Sequence, residues 1–247
     1  MNGNNDKTGI REGVARCFSQ AFVYGIEAHK TLLQVHGSVP KFPLDVMVKQ
    51  WTSGILTSSI TSGVIFGTYF SVYHRIEPHF MAGTVASVAT SVIKIPISNG
   101  MRMMQSGHAP SLGKALVKIS RAQSWRGLYS GYCLSLLEDI IEFDLRNRIY
   151  KELRSRHRDR EILHALTGCI YGSISGAVAA GVTTPIDTVR SHLAVHAGTA
   201  TKVHPLMVAS TLVRSHGLQG LYRGVSMRIT SNIVKSGLFF TVLELLH

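Results

Sequence analysis

The chain has 247 residues, with 26 Lys and Arg against 14 Asp and Glu, a formal net charge of +12 and a mean hydropathy of +0.16. Charged residues make up 16% and glycines number 23, below and above ordinary soluble shares of roughly 25% and roughly 7%, which argues against a polar soluble enzyme and for helices packed in lipid. The basic residues fall between apolar segments, as at Arg154 to Arg160. They do not form a stripe interleaved with aromatics, so the expected partner is anionic lipid such as cardiolipin and not nucleic acid.

The first stretch, Met1 to Arg16, is polar and lacks the apolar core of a secretory signal, so an organellar address would be internal. A candidate span at 13–34 carries Glu27. The next, 52–73, holds no charge and is long enough to cross about 30 Å of hydrocarbon at about 1.5 Å per residue. Stretches 80–93 and 162–184 are apolar and small, and each runs up to a proline, Pro96 and Pro185, where the missing N–H predicts a kink. Two further spans, 131–153 and 224–246, hold Glu138, Asp139, Glu142, Asp144, Arg228 and Lys235. Charges in spans are costly in lipid, so they are expected to face a watery interior or one another; an amphipathic surface helix is the competing reading of 131–153. Gly168, Gly172 and Gly176 fall four apart, a spacing that lets a neighbouring helix approach closely. Cys17, Cys133 and Cys169 form no CxxC, and the twelve histidines form no HExxH. With no nucleophile elbow or P-loop either, no catalytic set, metal or cofactor is expected.

An internal repeat organises these spans. Gly127-Leu128-Tyr129-Ser130-Gly131 recurs as Gly220-Leu221-Tyr222-Arg223-Gly224, with a fainter copy at Gln50-Trp51-Thr52-Ser53-Gly54. A second set runs Gly25-Ile26-Glu27-Ala28-His29-Lys30, then Pro96-Ile97-Ser98-Asn99-Gly100-Met101, then Pro185-Ile186-Asp187-Thr188-Val189-Arg190. The alternation predicts an all-α membrane protein, six transmembrane helices in three pseudo-threefold repeats around a central cavity. The expected organisation is one domain, 1–247, with repeats at approximately 12–76, 77–158 and 159–247.

At these residues the chain resembles the mitochondrial carrier family, whose mark is Pro-x-Asp/Glu-x-x-Lys/Arg at the end of each odd-numbered helix. The third copy matches fully; the first keeps Glu27 and Lys30 with Gly25 in place of proline; the second keeps Pro96 and Gln105 but has Ser98 and Met101 where an acid and a base belong. The resemblance implies a matrix-side gate of Glu27, Lys30, Asp187 and Arg190, with Asp187 meeting Lys30, Glu27 facing Met101 and Arg190 facing Ser98. Arg102, one position along, is the candidate substitute for the missing base. The competing reading of Asp187 and Arg190 is an i, i+3 pair on a helix surface, worth about 0.2–0.5 kcal/mol. On the other face, Tyr73-His74, Tyr150-Lys151 and Leu243-Glu244, with His247 as the base, stand where the family has an aromatic, an acid and a base.

The glycine-tyrosine copies resemble the family's lipid-binding turns, implicating Tyr222, Arg223, Gly224, Arg126 and Gly127, although tight turns that need glycine explain them equally. The family's solute contacts, counted from Gly54, Gly131 and Gly224, fall on Thr61, Ser62, Glu138, Asp139, Ser231 and Asn232. None is basic, and the two acids imply a cationic or zwitterionic solute. The run from Gly127 to Tyr132 followed by Leu136-Leu137-Glu138-Asp139 is similar to S-adenosylmethionine carriers, although Glu138 stands where those have arginine. The resemblance implies a monomeric antiporter of the inner mitochondrial membrane or plastid envelope, exchanging S-adenosylmethionine for S-adenosylhomocysteine, with Asp139 on the ligand's cation and Arg228 on its carboxylate. A carrier of another amino compound or a (deoxy)nucleotide, or an inactive paralogue serving as a scaffold, fits the same pattern.

Overall fold

The computed structural model describes residues 2–38, 44–76, 82–156 and 164–245. They form only helices. Six long ones are α1 (Asn2–His36), α2 (Leu44–Ile76), α3 (Ala82–Gln105), α5 (Tyr132–Arg156), α6 (His164–His196) and α8 (Val225–Leu245); two shorter ones are α4 (Leu112–Leu128) and α7 (Pro205–His216), the latter followed by a 3-10 turn at Leu218–Tyr222.

Local chemistry sets the ends. Ser111 caps α4 by accepting the Lys114 N–H, and His204 caps α7 ahead of Pro205, whose fixed φ suits a first helical turn. α4 is broken at Gln123 and Ser124, where the backbone leaves helical angles. Gly131 and Gly224, two of the three glycines from which the solute contacts are counted, adopt φ +73° and +76° immediately before α5 and α8, a left-handed backbone that favours glycine at a helix start. Gly54 does not: α2 begins at Leu44, so Gly54 lies inside the helix. Its missing side chain makes room for Tyr24, which occupies the space a Cβ would need.

α3 and α6 both continue through their prolines, Pro96 and Pro185. Pro96 leaves the Val92 carbonyl without its helical donor, and the Tyr129 hydroxyl supplies one at 3.1 Å. Three residues after each proline a side chain reaches the glycine-leucine-tyrosine turn: Asn99 donates to the carbonyls of Leu128 and Ser130 at 2.9 Å each, and Thr188 donates to Leu221 at 2.8 Å. The repeated sequence therefore makes a repeated contact.

Exposure is inverted relative to a soluble protein. Ile10, Val14, Phe18 and Phe22 on α1, Leu56, Ile60 and Val64 on α2, and Ile170, Ile174, Val178 and Val182 on α6 are all exposed, and each row is spaced by four. Charged groups including Glu138, Asp187, Arg190, Arg228 and Lys235 are buried. Apolar rows of this extent need a nonaqueous neighbour, and buried charges need partners. Among the described residues one helical stretch, Gly54–Ile76, is apolar enough throughout to cross a membrane by composition alone.

The helices pack in a closed order, α1 on α2, α2 on α3, α3 on α5, α5 on α6, α6 on α8 and α8 back on α1. α1, α3 and α6 also touch one another, whereas among the described residues no comparable packing joins α2, α5 and α8. The closest approach of a glycine to another helix's backbone is at Gly13, where a Cβ would lie 2.8 Å from the Gly63 carbonyl, so α1 and α2 cross on small residues. Gly176, by contrast, faces the Arg146 guanidinium.

Candidate functional site

Where α1, α3 and α6 meet, charged side chains come together. Asp187, 1% exposed, holds Lys30 of α1 at 2.8 Å, Arg102 of α3 at 2.6 Å and Arg228 of α8 at 3.0 Å. Gln34 donates to the same carboxylate at 2.9 Å, and its carbonyl oxygen accepts from Ser191 at 2.7 Å. One acid thus ties together four helices. Lys30 and Arg102 therefore share Asp187, and Arg102 does not meet Glu27, the acid that faces position 101 in the family pattern.

The other gate residues find different partners. Arg190 meets Glu138 of α5, not Ser98. Glu27 meets Lys235 of α8 and accepts from Gln20, while Met101 packs instead on Tyr24, Ala28 and Met104. The reason is local: with no base at 101 and no acid at 98, the half-buried Glu27 and the buried Arg190 take the nearest opposite charge, because an ion withdrawn from water is far costlier alone than paired. Arg190 and Asp187 therefore do not form an exposed i, i+3 pair.

Of the expected solute contacts, Glu138 is 4% exposed and holds both Arg190 and, at 2.8 Å, Arg228. Arg228 also reaches Glu142 at 3.0 Å and donates to Thr183 at 2.9 Å, so acids surround it. Asp139 is half-open and engaged by Lys94 of α3 at 2.5 Å. Thr61 donates to the Thr57 carbonyl within its own helix, Ser62 is half-buried, Ser231 is buried and Asn232 points at the Gly176 carbonyl at 3.5 Å. Lys94, Gln34, Glu142 and Lys235 have structural partners that motif reasoning did not assign. Their signal was available as polar residues three or four positions from a motif residue on the inward face of a helix.

Arg126 stacks over Trp125 at 5.6 Å and lines a pocket with Ser130, His196 and Lys202. Gly127 is buried against Ile119 and Gln123, Tyr222 is exposed, and Arg223 packs over Gly37, as Gly224 does on Lys30. Glu244 and His247 lie outside the described side chains. Beyond the end of α3, His108 stacks on His36 at 5.6 Å; burial and that neighbouring imidazole hold it below the ordinary imidazole value. Among the described residues no group of three His, Cys, Asp or Glu could hold a metal.

Residues 162–247 match the family described as Mitochondrial carrier protein. Across 95% of the chain and 76% of the relative, the sequence is 27% identical to S-adenosylmethionine carrier 1, chloroplastic/mitochondrial, of Arabidopsis thaliana. It is also 27% identical to the mitochondrial S-adenosylmethionine carrier protein of Danio rerio, over 67% of the chain and 63% of the relative. A third relative is protein MITOFERRINLIKE 1, chloroplastic, of Arabidopsis thaliana, 24% identical over 94% of the chain and 65% of the relative.

Proposed function

We propose a solute carrier of three repeats, from the match of residues 162–247 to mitochondrial carriers and the similarity to an S-adenosylmethionine carrier along almost the whole chain. Its six long helices surround a solute path, and it works by alternating access without covalent chemistry. The observation that carries this reading is the Asp187 node. It joins the C-terminal thirds of α1, α3 and α6 through Lys30 and Arg102, where a gate facing the matrix would have to close. The ring order of the helices and the matching Asn99 and Thr188 contacts support the repeat.

The solute favoured by the similarity is S-adenosylmethionine, exchanged for S-adenosylhomocysteine across the inner mitochondrial membrane, or the plastid envelope as one relative's name also allows. Asp139 takes the ligand's cation by displacing Lys94, the more exposed partner. Glu138, Thr61, Ser62, Ser231 and Asn232 line the same level, and Arg126, Gly127, Tyr222, Arg223 and Gly224 hold anionic lipid at the membrane edge. A second reading, transport of another amino compound or a nucleotide, draws on Lys94 already neutralising Asp139. An inactive scaffold is the remaining alternative. Uptake of labelled S-adenosylmethionine into proteoliposomes, competed by unlabelled amino compounds and nucleotides, separates the three. Strong competition by S-adenosylhomocysteine alone supports the first, competition by a different solute the second, and no uptake of any solute the third.

A further inference from the structure

Away from the Asp187 node, toward the opposite end of the ring, three donors lack acceptors. Arg146 lies eight residues beyond Glu138 on α5, roughly 12 Å along the helix, and Arg16 lies eleven residues before Glu27 on α1, roughly 16 Å. Both displacements run the same way, because α1 descends toward the node and α5 rises from it. The Nε atoms of Arg16 and Arg146 are buried without a hydrogen-bond partner, and the buried hydroxyl of Tyr69 on α2 lies toward Ser87 without a well-formed bond to it. Arg16 lies 4.6 Å above the Phe66 ring, one helical turn from Tyr69. Arg146 is within Coulomb range of both Arg16 and Tyr69.

The carboxylates nearby each have a partner. Glu12 meets His74 through one oxygen, its other oxygen being buried without a hydrogen bond; Glu27 holds Lys235, Asp139 holds Lys94, and Glu142 divides its two oxygens between Arg146 and Arg228. Arg16, among the described residues, has no ion pair at all. Two guanidiniums and a phenol with unused N–H and O–H groups leave a local excess of positive charge. A buried unpaired donor is destabilising, more so when charged, and the partner that relieves all three is a compact oxyanion.

We infer that Arg16, Tyr69 and Arg146 form an oxyanion-binding tier that receives the carboxylate or phosphate of the transported solute before it reaches the Asp187 node. The inference rests on the carrier reading. On the S-adenosylmethionine assignment it gives the amino-acid carboxylate to Arg16 and Arg146, leaving Arg228, enclosed by Glu138, Glu142 and Asp187, to structure.

Decarboxylated S-adenosylmethionine, which keeps the sulfonium and amine but lacks the carboxylate, provides the test. In thermal-shift titrations of the purified wild-type protein, S-adenosylmethionine is expected to bind at least tenfold more tightly than the decarboxylated compound. The same ratio should fall to near one in Arg16→Gln and Arg146→Gln, with Arg146→Lys intermediate. Inorganic phosphate and adenosine 5′-monophosphate form the second arm. A wild-type protein stabilised by phosphate compounds and not by S-adenosylmethionine, with that shift lost in Arg146→Gln, keeps the tier and discards the S-adenosylmethionine assignment. Equal wild-type response to the two S-adenosyl compounds without any response to phosphate overturns the tier, as does silence to all four solutes. Because both outcomes are read on the wild-type protein, a variant that fails to fold does not rescue the idea.

Discussion

Asp187 is the acceptor on which most of the buried charge converges, so substitutions there and at Ser98 should differ sharply. Removing the carboxylate leaves Lys30, Arg102 and Arg228 buried against one another, and losing one partner of a buried ionic set costs about 3–5 kcal/mol. Asp187→Lys is expected to lower the thermal midpoint strongly and to abolish uptake, with Lys30→Asp in the same chain recovering part of the loss. Ser98→Ala, which breaks none of these contacts, should stay within about 0.5 kcal/mol. How much of this was legible follows residue by residue. Lys30 with Asp187 could be read because the motif register places acid and base at fixed positions in different repeats. Arg102 could be read as a neighbour of a missing base, but its bond to Asp187 and not to Glu27 could not. Glu138 with Arg190 and Glu27 with Lys235 could not, because their family partners are absent and the new ones are chosen by proximity across helix seams.

A proline-bearing helix keeps its course when something else caps the freed carbonyl, and in α3 that cap is the Tyr129 hydroxyl on Val92. Tyr129→Phe is predicted to cost about 1 kcal/mol, in line with hydrogen bonds inside membrane proteins. The cost should shrink in a Pro96→Ala background, where the restored backbone N–H serves the Val92 carbonyl itself; thermal unfolding of the four proteins as a double-mutant cycle measures it. Equal cost in both backgrounds would remove the capping role. Boundaries were the least legible feature at this scale. α1 and α2 extend beyond the apolar stretches expected at 13–34 and 52–73, to Asn2–His36 and Leu44–Ile76. Hydrophobic pattern marks where lipid lies, and polar residues continue a helix past it unopposed. Gly54 reads as a helix start because it shares its residue type with Gly131 and Gly224, but here the glycine serves close approach by Tyr24.

For the molecule as a whole, an inverted distribution of polarity explains why a hydropathy reading sees one clear span while six long helices carry exposed apolar residues. The polar interior lowers each helix's mean without changing the face it shows to lipid. The exposed end of this interior also carries a pH dependence. His108 faces the stacked His36, Ser106, which hydrogen-bonds its Nδ1, and within Coulomb range Lys118 and His196. Its folded value lies below the ordinary one, so the unfolded chain binds the proton more readily and stability is lost as pH falls through about 6.5. Thermal midpoints taken between pH 7.5 and 5.5 should fall more for the wild-type protein than for His108→Gln; parallel falls would contradict this. The central claim, a solute path closed by the Asp187 node, is tested most directly by counter-exchange. Proteoliposomes preloaded with S-adenosylhomocysteine should accumulate labelled S-adenosylmethionine, empty ones far less, and Asp187→Lys ones none. Equal uptake by the wild-type protein and Asp187→Lys, or none by either in the face of a folded wild-type protein, would contradict it.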